Sequence, residues 1–273
     1  MTIRTIFAMA EEGARGERSA WQEFVRDYRE IAQKLLERYF AVLKPEIQGH
    51  VAAVFQRARL DDNAWFRNLQ FANEREFLMA FRELVFAYGR EAARVPAPEI
   101  TLQQYQELTD GLPLVERQML WLYLKGYDAA QIAPMVMNAA ATAEAVKAAA
   151  QERMAQALPG ALTDVFQFSR QSLIEAAEKA RSEQCLPLKT FNNIVNGQIS
   201  WREREVAEQH IQPCFYCVDR FTSFLEMIRY RKEGQPAPDA EVEPVLAALK
   251  LPPPRKKGLL GRLLPGSRDA TPG

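Results

Sequence analysis

Three cysteines and one histidine in the C-terminal third of the chain have a spacing that suits a metal ion. They are Cys185, His210, Cys214 and Cys217, and they include every cysteine of the 273-residue chain. Cys214 follows His210 by four residues and Cys217 follows Cys214 by three, so on a helical or near-helical segment these side chains project from one side. Three thiolates and an imidazole complete the tetrahedral coordination of Zn²⁺ and leave no position for water. The spacing therefore predicts a closed, structural zinc site rather than a catalytic one.

Two other interpretations of these residues stay open. In the first, the cysteines are buried packing residues and His210 lies on the surface. In the second, Cys214 and Cys217 form a redox pair that releases zinc on oxidation, because thiolates in a Cys-X-X-Cys motif can exchange to a disulfide. We prefer the zinc site, since all the cysteines of the chain fall into one pattern.

Local signals around the four ligands predict two consecutive helices. Ser200 and Glu203 have the spacing of a capping box, which predicts a helix that starts after Ser200 and delivers His210. Pro213 suits the first turn of the next helix. Over residues 218–232 that helix has an apolar face, and we expect the face to dock on the helical domains that precede it in the chain, the alternative being that it only covers the zinc site. The face consists of Phe221, Phe224, Leu225 and Ile228.

The first part of the chain is predicted to be a helical domain over residues 1–95. Apolar residues recur there at helical spacing from residue 17 to residue 94, which indicates three or four helices. Pro96 and Pro98 then predict a linker near residues 95–100. The same helical spacing places several aromatic residues in the core rather than on a surface for stacking bases. They are Trp65, Phe66, Phe71, Phe77 and Phe86.

A second helical domain is predicted over residues 100–160, with the outline of a helix-turn-helix. Its first helix opens at Leu112-Pro113 and ends before a turn at Gly126. Asp128 is placed to cap the next helix together with Gln131. Thr142 is placed to cap the third helix, which would be the recognition helix and run to about residue 157.

The remaining boundaries complete an all-α architecture of two small helical domains, a small zinc-binding domain and a tail. Residues 161–182 are predicted to be a connecting helix, and residues 183–232 the zinc-binding domain. Residues 233–273 are predicted to be a disordered tail, because prolines recur in them. These prolines are Pro236, Pro238, Pro244, Pro252, Pro253 and Pro254.

The composition narrows the possible functions. Lysine plus arginine and aspartate plus glutamate both number 35, so there is no overall basic field and nucleic-acid binding would need a local patch. No run of about 18 apolar residues occurs, so we expect a cytoplasmic protein without an integral membrane segment. The chain has two histidines, one of them assigned to zinc, and it has no glycine-rich phosphate loop or nucleophile motif. We therefore expect no enzyme active site.

Residues 185–217 resemble the zinc-finger domain of zinc-binding anti-sigma factors. The resemblance covers Cys185, the run Asn196 to Ser200 and the run His210 to Cys217, which include all four ligand positions. It implies a bound Zn²⁺ and contact with a sigma factor, either within the same chain or in a partner.

Residues 112–147 resemble region four of extracytoplasmic-function sigma factors, the helix-turn-helix that reads promoter DNA. The matching residues are Leu112-Pro113, Glu116-Arg117, Leu120, Leu122, Gly126, Asp128, Gln131-Ile132-Ala133 and Val146-Lys147. The block from Arg15-Gly16-Glu17 through Trp21, Phe24 and Tyr28 resembles region two, which in that family binds RNA polymerase and melts the promoter. The resemblance implies core RNA polymerase and promoter DNA as partners. On the predicted recognition helix, the candidate DNA contacts are Lys147, Gln151 and Arg153.

Two functions are compatible with these features. The first is a sigma-factor-like transcription regulator with an anti-sigma-like zinc domain fused to it. The alternative is a zinc-binding protein-interaction module whose sigma-like domains no longer read promoter DNA. On the predicted recognition helix, Glu144 and Glu152 offset Lys147 and Arg153, so the helix gains little from counterion release and we expect weak DNA binding.

Overall fold

The computed structural model describes residues 5–93, 106, 109–157 and 170–251. This part of the chain contains α-helices and one short 3₁₀ helix and no β-strand, which confirms the predicted all-α class. The elements are α1 (Ile6–Ala14), α2 (Arg18–Tyr39), the 3₁₀ helix (Ala41–Glu46), α3 (Ile47–Asn68), α4 (Glu74–Ala93), α5 (Leu114–Leu124), α6 (Ala129–Met135), α7 (Ala140–Ala157), α8 (Arg170–Lys179), α9 (Leu188–Asn196), α10 (Trp201–Ile211), α11 (Phe215–Glu233) and α12 (Asp239–Ala248). The predicted linker at 95–100 and the first part of the predicted connecting helix, 161–169, lie outside the described residues.

Helices α1 to α4 pack around a core of aromatic side chains. Phe24 lies at its centre, with the ring centroids of Phe55 and Phe81 5.1 and 5.4 Å away. Trp21 is fully buried, and its indole N–H donates to the Gly13 carbonyl at 3.2 Å. This bond satisfies the one polar atom of the indole and joins α1 to α2. The aromatic residues that the sequence places in the core do pack in or against it, namely Trp65, Phe66, Phe71, Phe77 and Phe86.

Helices α5, α6 and α7 pack against one another in the order expected for a helix-turn-helix. The capping box of α6 is confirmed, because the Gln131 N–H donates to Asp128 Oδ1 at 2.8 Å and the Asp128 N–H donates to Gln131 Oε1 at 3.2 Å. The predicted cap at Thr142 is wrong. Helix α7 already begins at Ala140, because the alanines that precede Thr142 are strong helix formers and extend the helix toward its N-terminus.

The predicted disordered tail over residues 233–273 is wrong in its first part, where residues 239–248 form α12. This helix packs against α2 and α3. Pro238 stands at its N-cap position, where a missing N–H does no harm, whereas Pro244 lies inside the helix and removes one backbone hydrogen bond. Burial of an apolar face at helical spacing outweighs that loss. The face consists of Val242, Val245, Leu246 and Leu249, all of them buried. Residues 252–273 lie outside the described part of the chain.

Helix α11 connects the cysteine-rich block to the rest of the protein. It packs against α4 of the first helical block (α1 to α4), against α5 and α6 of the second (α5 to α7), and also against α8 and α10. The helix is therefore docked on the preceding helical domains as predicted. Its predicted apolar face also covers the cysteine-rich block, because the ring centroids of Phe221 and Phe224 lie 5.2 and 6.5 Å from that of Phe191 in α9. Phe221 and Phe224 of the predicted apolar face are buried, while Leu225 and Ile228 are partly buried. The helix also buries polar residues that the sequence does not mark as interior, namely Asp219, Thr222, Ser223 and Glu226.

Candidate metal centre

Three elements bring the four predicted ligands together. The capping box of α10 is confirmed, since the Glu203 N–H donates to Ser200 Oγ at 3.3 Å and the Ser200 N–H donates to Glu203 Oε2 at 3.0 Å. This start places His210 in the last turn of α10. Cys214 is the N-cap residue of α11 and Cys217 lies in its first turn. The fourth residue, Cys185, arrives from the loop between α8 and α9.

The ligand atoms of Cys185, His210, Cys214 and Cys217 all lie within 4.8 Å of one another. The Sγ atoms of Cys185 and Cys214 are 3.7 Å apart, and His210 Nε2 lies 3.2 Å from Cys217 Sγ. With a metal–sulfur distance of about 2.3 Å, tetrahedral coordination puts two sulfur ligands about 3.8 Å apart. The separation of Cys185 and Cys214 therefore fits two sulfur ligands of one tetrahedral ion. The contact of His210 with Cys217 contradicts the interpretation in which His210 is an unrelated surface residue.

Backbone N–H groups around the cluster point at its sulfur atoms. The Ser182 N–H donates to Cys185 Sγ at 3.2 Å, and the Leu186 N–H donates to Cys217 Sγ at 3.4 Å. Such bonds favour a thiolate, the form in which cysteine binds metals. They come from the loop that carries Cys185, so this loop both supplies a ligand and orients another.

The protonation of the three thiols differs with their surroundings. Burial opposes the ionisation of Cys185, but hydrogen bonds from Ser182 and from the other two cysteines outweigh it and hold the pKa of Cys185 below its ordinary value. Burial raises the pKa of Cys214 and raises that of Cys217 further. A cation at the centre would supply the positive charge that a buried thiolate needs in order to stay ionised.

The four cluster residues differ in how accessible they are to solvent. Cys217 is fully buried, whereas the other three ligand residues are partly buried. An open pocket of about 600 Å³ reaches Cys185 and is also lined by Arg181, Tyr216 and Arg220. Four protein ligands around one tetrahedral ion leave no coordination position for a substrate.

Beyond Cys217, helix α11 carries a buried ion pair with α5. The side chain of Lys125 has no exposed surface, and its Nζ lies 2.7 Å from Asp219 Oδ1. The same ammonium donates to Thr222 Oγ1 at 2.9 Å and to Ser223 Oγ at 2.8 Å, which gives each of its three protons an acceptor. The Trp121 indole N–H also donates to Asp219 Oδ1, at 3.0 Å. Burial raises the pKa of Asp219, but Lys125 and the nearby Arg82 outweigh it and leave that pKa below the ordinary value.

A second buried carboxylate, Glu226, lies seven residues further along α11. Its Oε1 accepts a hydrogen bond from the Tyr39 hydroxyl at 2.7 Å and another from the Tyr127 hydroxyl. Its Oε2 lies 3.7 Å from Arg82 Nε. Burial, followed by the charge of Glu226, holds the pKa of Tyr39 well above its ordinary value, so this hydroxyl keeps the proton it donates. Because Tyr39 and Arg82 belong to the first helical block and Tyr127 follows α5, Glu226 joins α11 to both blocks.

The residues predicted to contact DNA lie on α7, which carries none of the cluster residues. Lys147 is partly buried, and its Nζ lies 5.3 Å from the centroid of the Tyr123 ring. Gln151 is exposed, while the side chain of Arg153 lies outside the described part of the structure. The other exposed positions of the helix between residues 141 and 152 are alanines and glutamates, namely Ala141, Glu144, Ala145, Ala148, Ala149 and Glu152. This surface offers few donors to phosphate groups.

The fold and the cluster define an all-helical protein with a Cys₃His group at metal-binding distances. Comparisons with family models, with curated proteins and with solved structures gave no match. Within the described ranges, no helix is long and apolar enough to cross a membrane.

Proposed function

We propose that the Cys₃His cluster binds one structural Zn²⁺. Soft thiolates with one imidazole are the donor set that zinc prefers, while magnesium and calcium prefer oxygen ligands. The 3.7 Å separation of the Cys185 and Cys214 sulfur atoms supports this assignment. The ion would link α10, the start of α11 and the loop before α9, and this link would contribute to folding rather than to chemistry.

We propose further that the protein is a zinc-stabilised interaction module with sigma-factor-like helical domains, in which the zinc-bearing block is a permanent part of the fold. The observation that carries this proposal is the packing of α11 against α4, α5 and α6, which buries the ion pair of Lys125 and Asp219. Separating the helices would expose the apolar side chains that α11 buries, among them Phe224 and Met227, and burial of such side chains is the main stabilising term. A domain that has to be released reversibly is better served by a smaller and more polar interface.

The surface of α7 supports a function through protein contacts rather than through promoter DNA. Its exposed positions are mostly alanines and glutamates, and Lys147 is held near the Tyr123 ring. On this proposal the protein works in the cytoplasm, its partners are core RNA polymerase or a sigma or anti-sigma protein, and Lys147, Gln151 and Arg153 do not specify a DNA sequence.

A second candidate is a sigma-factor-like regulator that binds polymerase and promoter DNA when its zinc-bearing block moves aside. The contact of α11 with both helical blocks favours it, because an inhibitor of both sigma-like domains would have to lie between them. In this case the same four ligands hold the inhibitory block together, and loss of the metal would release the helix-turn-helix.

Gel shifts with duplex promoter DNA separate the two candidates, and in pull-downs a gain of core RNA polymerase on metal removal would support the masked regulator. Both assays use the full-length chain in three states: zinc-loaded, stripped with a chelator, and reloaded with zinc as the control. The interaction module should bind duplex DNA no more tightly than about 10⁻⁴ to 10⁻⁶ M in every state. Tight, sequence-specific binding that appears on stripping and disappears on reloading would overturn the proposal and support the masked regulator.

A further inference from the structure

An open pocket of about 330 Å³ lies where α2, the 3₁₀ helix, α6 and α11 meet, and we refer to it as the basic pocket. Four cationic side chains line it, from three elements of the fold, namely Lys34 and Arg38 of α2, Lys44 of the 3₁₀ helix and Arg229 of α11. Two carboxylates, Glu37 and Glu233, also line it. The lining therefore has an excess of positive charge in a protein whose formal net charge is zero.

The arginines of the basic pocket are held in place by the surrounding structure. The Arg38 guanidinium lies over the Tyr127 ring at 3.7 Å, donates to the Gly126 carbonyl at 2.7 Å and donates to the Tyr230 hydroxyl at 3.0 Å. Arg229 donates to the Gln131 carbonyl at 2.8 Å. Since both side chains are already ordered, an anion that meets them loses little additional conformational entropy.

The two lysines that line the same pocket carry their charges on flexible side chains. Lys44 is exposed, and Lys34 is partly exposed with its Nζ 2.6 Å from Glu30 Oε1. An ammonium on a flexible stem acts as a point charge, while a guanidinium presents a planar fork of donors. Arg229 and Lys34 already pair with Glu233 and Glu30, so Arg38 and Lys44 supply the excess positive charge that an oxyanion would meet.

We propose that the basic pocket binds a phosphate-bearing small molecule. A volume of about 330 Å³ is at the lower end of ligand pockets, so it has room for a phosphate group and a small attached moiety. A ligand in this position contacts the first helical block, α6 and α11 at once. Binding therefore stabilises the arrangement in which α11 is docked between the two blocks. The proposal depends neither on the metal nor on either function proposed above.

Isothermal titration calorimetry on the full-length, zinc-loaded protein tests the proposal, with inorganic phosphate and adenosine monophosphate as probes at constant ionic strength. We expect saturable binding of at least one probe, together with a rise in melting temperature. Tighter binding of adenosine monophosphate would assign the site to a phosphate ester, and equal or tighter binding of inorganic phosphate would assign it to the free anion. Zinc content is measured before and after, so that loss of the metal is not mistaken for binding.

Two variants locate the binding in the basic pocket. Lys44→Gln should weaken binding about fivefold, and the double variant Lys34→Gln/Lys44→Gln should weaken it tenfold or more, because charge-assisted hydrogen bonds to the anion are lost. Lys189→Gln, at an exposed lysine of α9 outside the pocket, is the matched control and should bind as the parent does. Binding that is absent, that does not saturate, or that is equal in the double variant and the control would overturn the proposal.

Discussion

Replacing Lys125 with methionine removes one charge from the buried ion pair between α5 and α11. The variant Lys125→Met leaves Asp219 without its closest cation and leaves the hydroxyls of Thr222 and Ser223 without their donor. Breaking a buried pair in this way costs about 3–5 kcal/mol. We expect a value near the lower end, because Arg82 also stabilises the charge of Asp219. Since domains are typically stable by roughly 5–15 kcal/mol, this is a large fraction of the total.

The matched double variant Lys125→Met/Asp219→Asn removes both charges and keeps a side-chain acceptor for the Trp121 indole N–H. It should cost only about 1–2 kcal/mol, because neutral replacements of a buried pair are tolerated far better than an unpaired charge. Urea unfolding of the zinc-loaded proteins, followed by circular dichroism, measures both values. Arg204→Ala breaks a half-exposed pair with Glu208 and should change stability by less than about 1 kcal/mol. A cost below about 1 kcal/mol for Lys125→Met, or a double variant as unstable as the single one, would refute the reasoning.

Four further outcomes follow from particular contacts. The purified protein should carry one zinc per chain. Cys217→Ser should lower both the metal content and the melting temperature, because the free energy of zinc binding contributes to folding. Metal analysis that finds no zinc in protein purified without a chelator would contradict the site. Asp128→Ala should destabilise the protein by about 1 kcal/mol through loss of the α6 cap, measured by urea unfolding. Lys147→Gln should leave the already weak affinity for duplex DNA within about threefold of the parent in gel shifts at fixed salt. The Asp219 carboxylate should contribute fully to the free energy of unfolding above roughly pH 4 and less below it, since its pKa is lower in the folded state than in the unfolded state. The difference in free energy of unfolding between the parent and Asp219→Asn should therefore decrease as the pH falls.

The cluster residues His210, Cys214 and Cys217, the two capping boxes and the fold class could be predicted from the sequence because each depends on local spacing. His210, Cys214 and Cys217 lie within eight residues of the chain, so the short turn between α10 and α11 is enough to bring them together. The capping boxes at Asp128 and Ser200 join residues three positions apart. Proline-based reasoning failed at α12, where the apolar spacing from Val242 to Leu249 was the signal that indicated a helix.

The position of α11 between two helical blocks was decided only by the tertiary structure. Residues 218–232 show an apolar stripe in the sequence, but polar residues also join α11 to its neighbours. Lys125, Asp219 and Glu226 are buried although their residue types usually lie on the surface. Their burial depends on partners about 90 to 190 positions away in the chain, which no local pattern specifies. The basic pocket arises in the same way, since its cations come from three separate elements. Local spacing determines which residues can share a face, whereas the partner of that face depends on how distant helices pack around a common core.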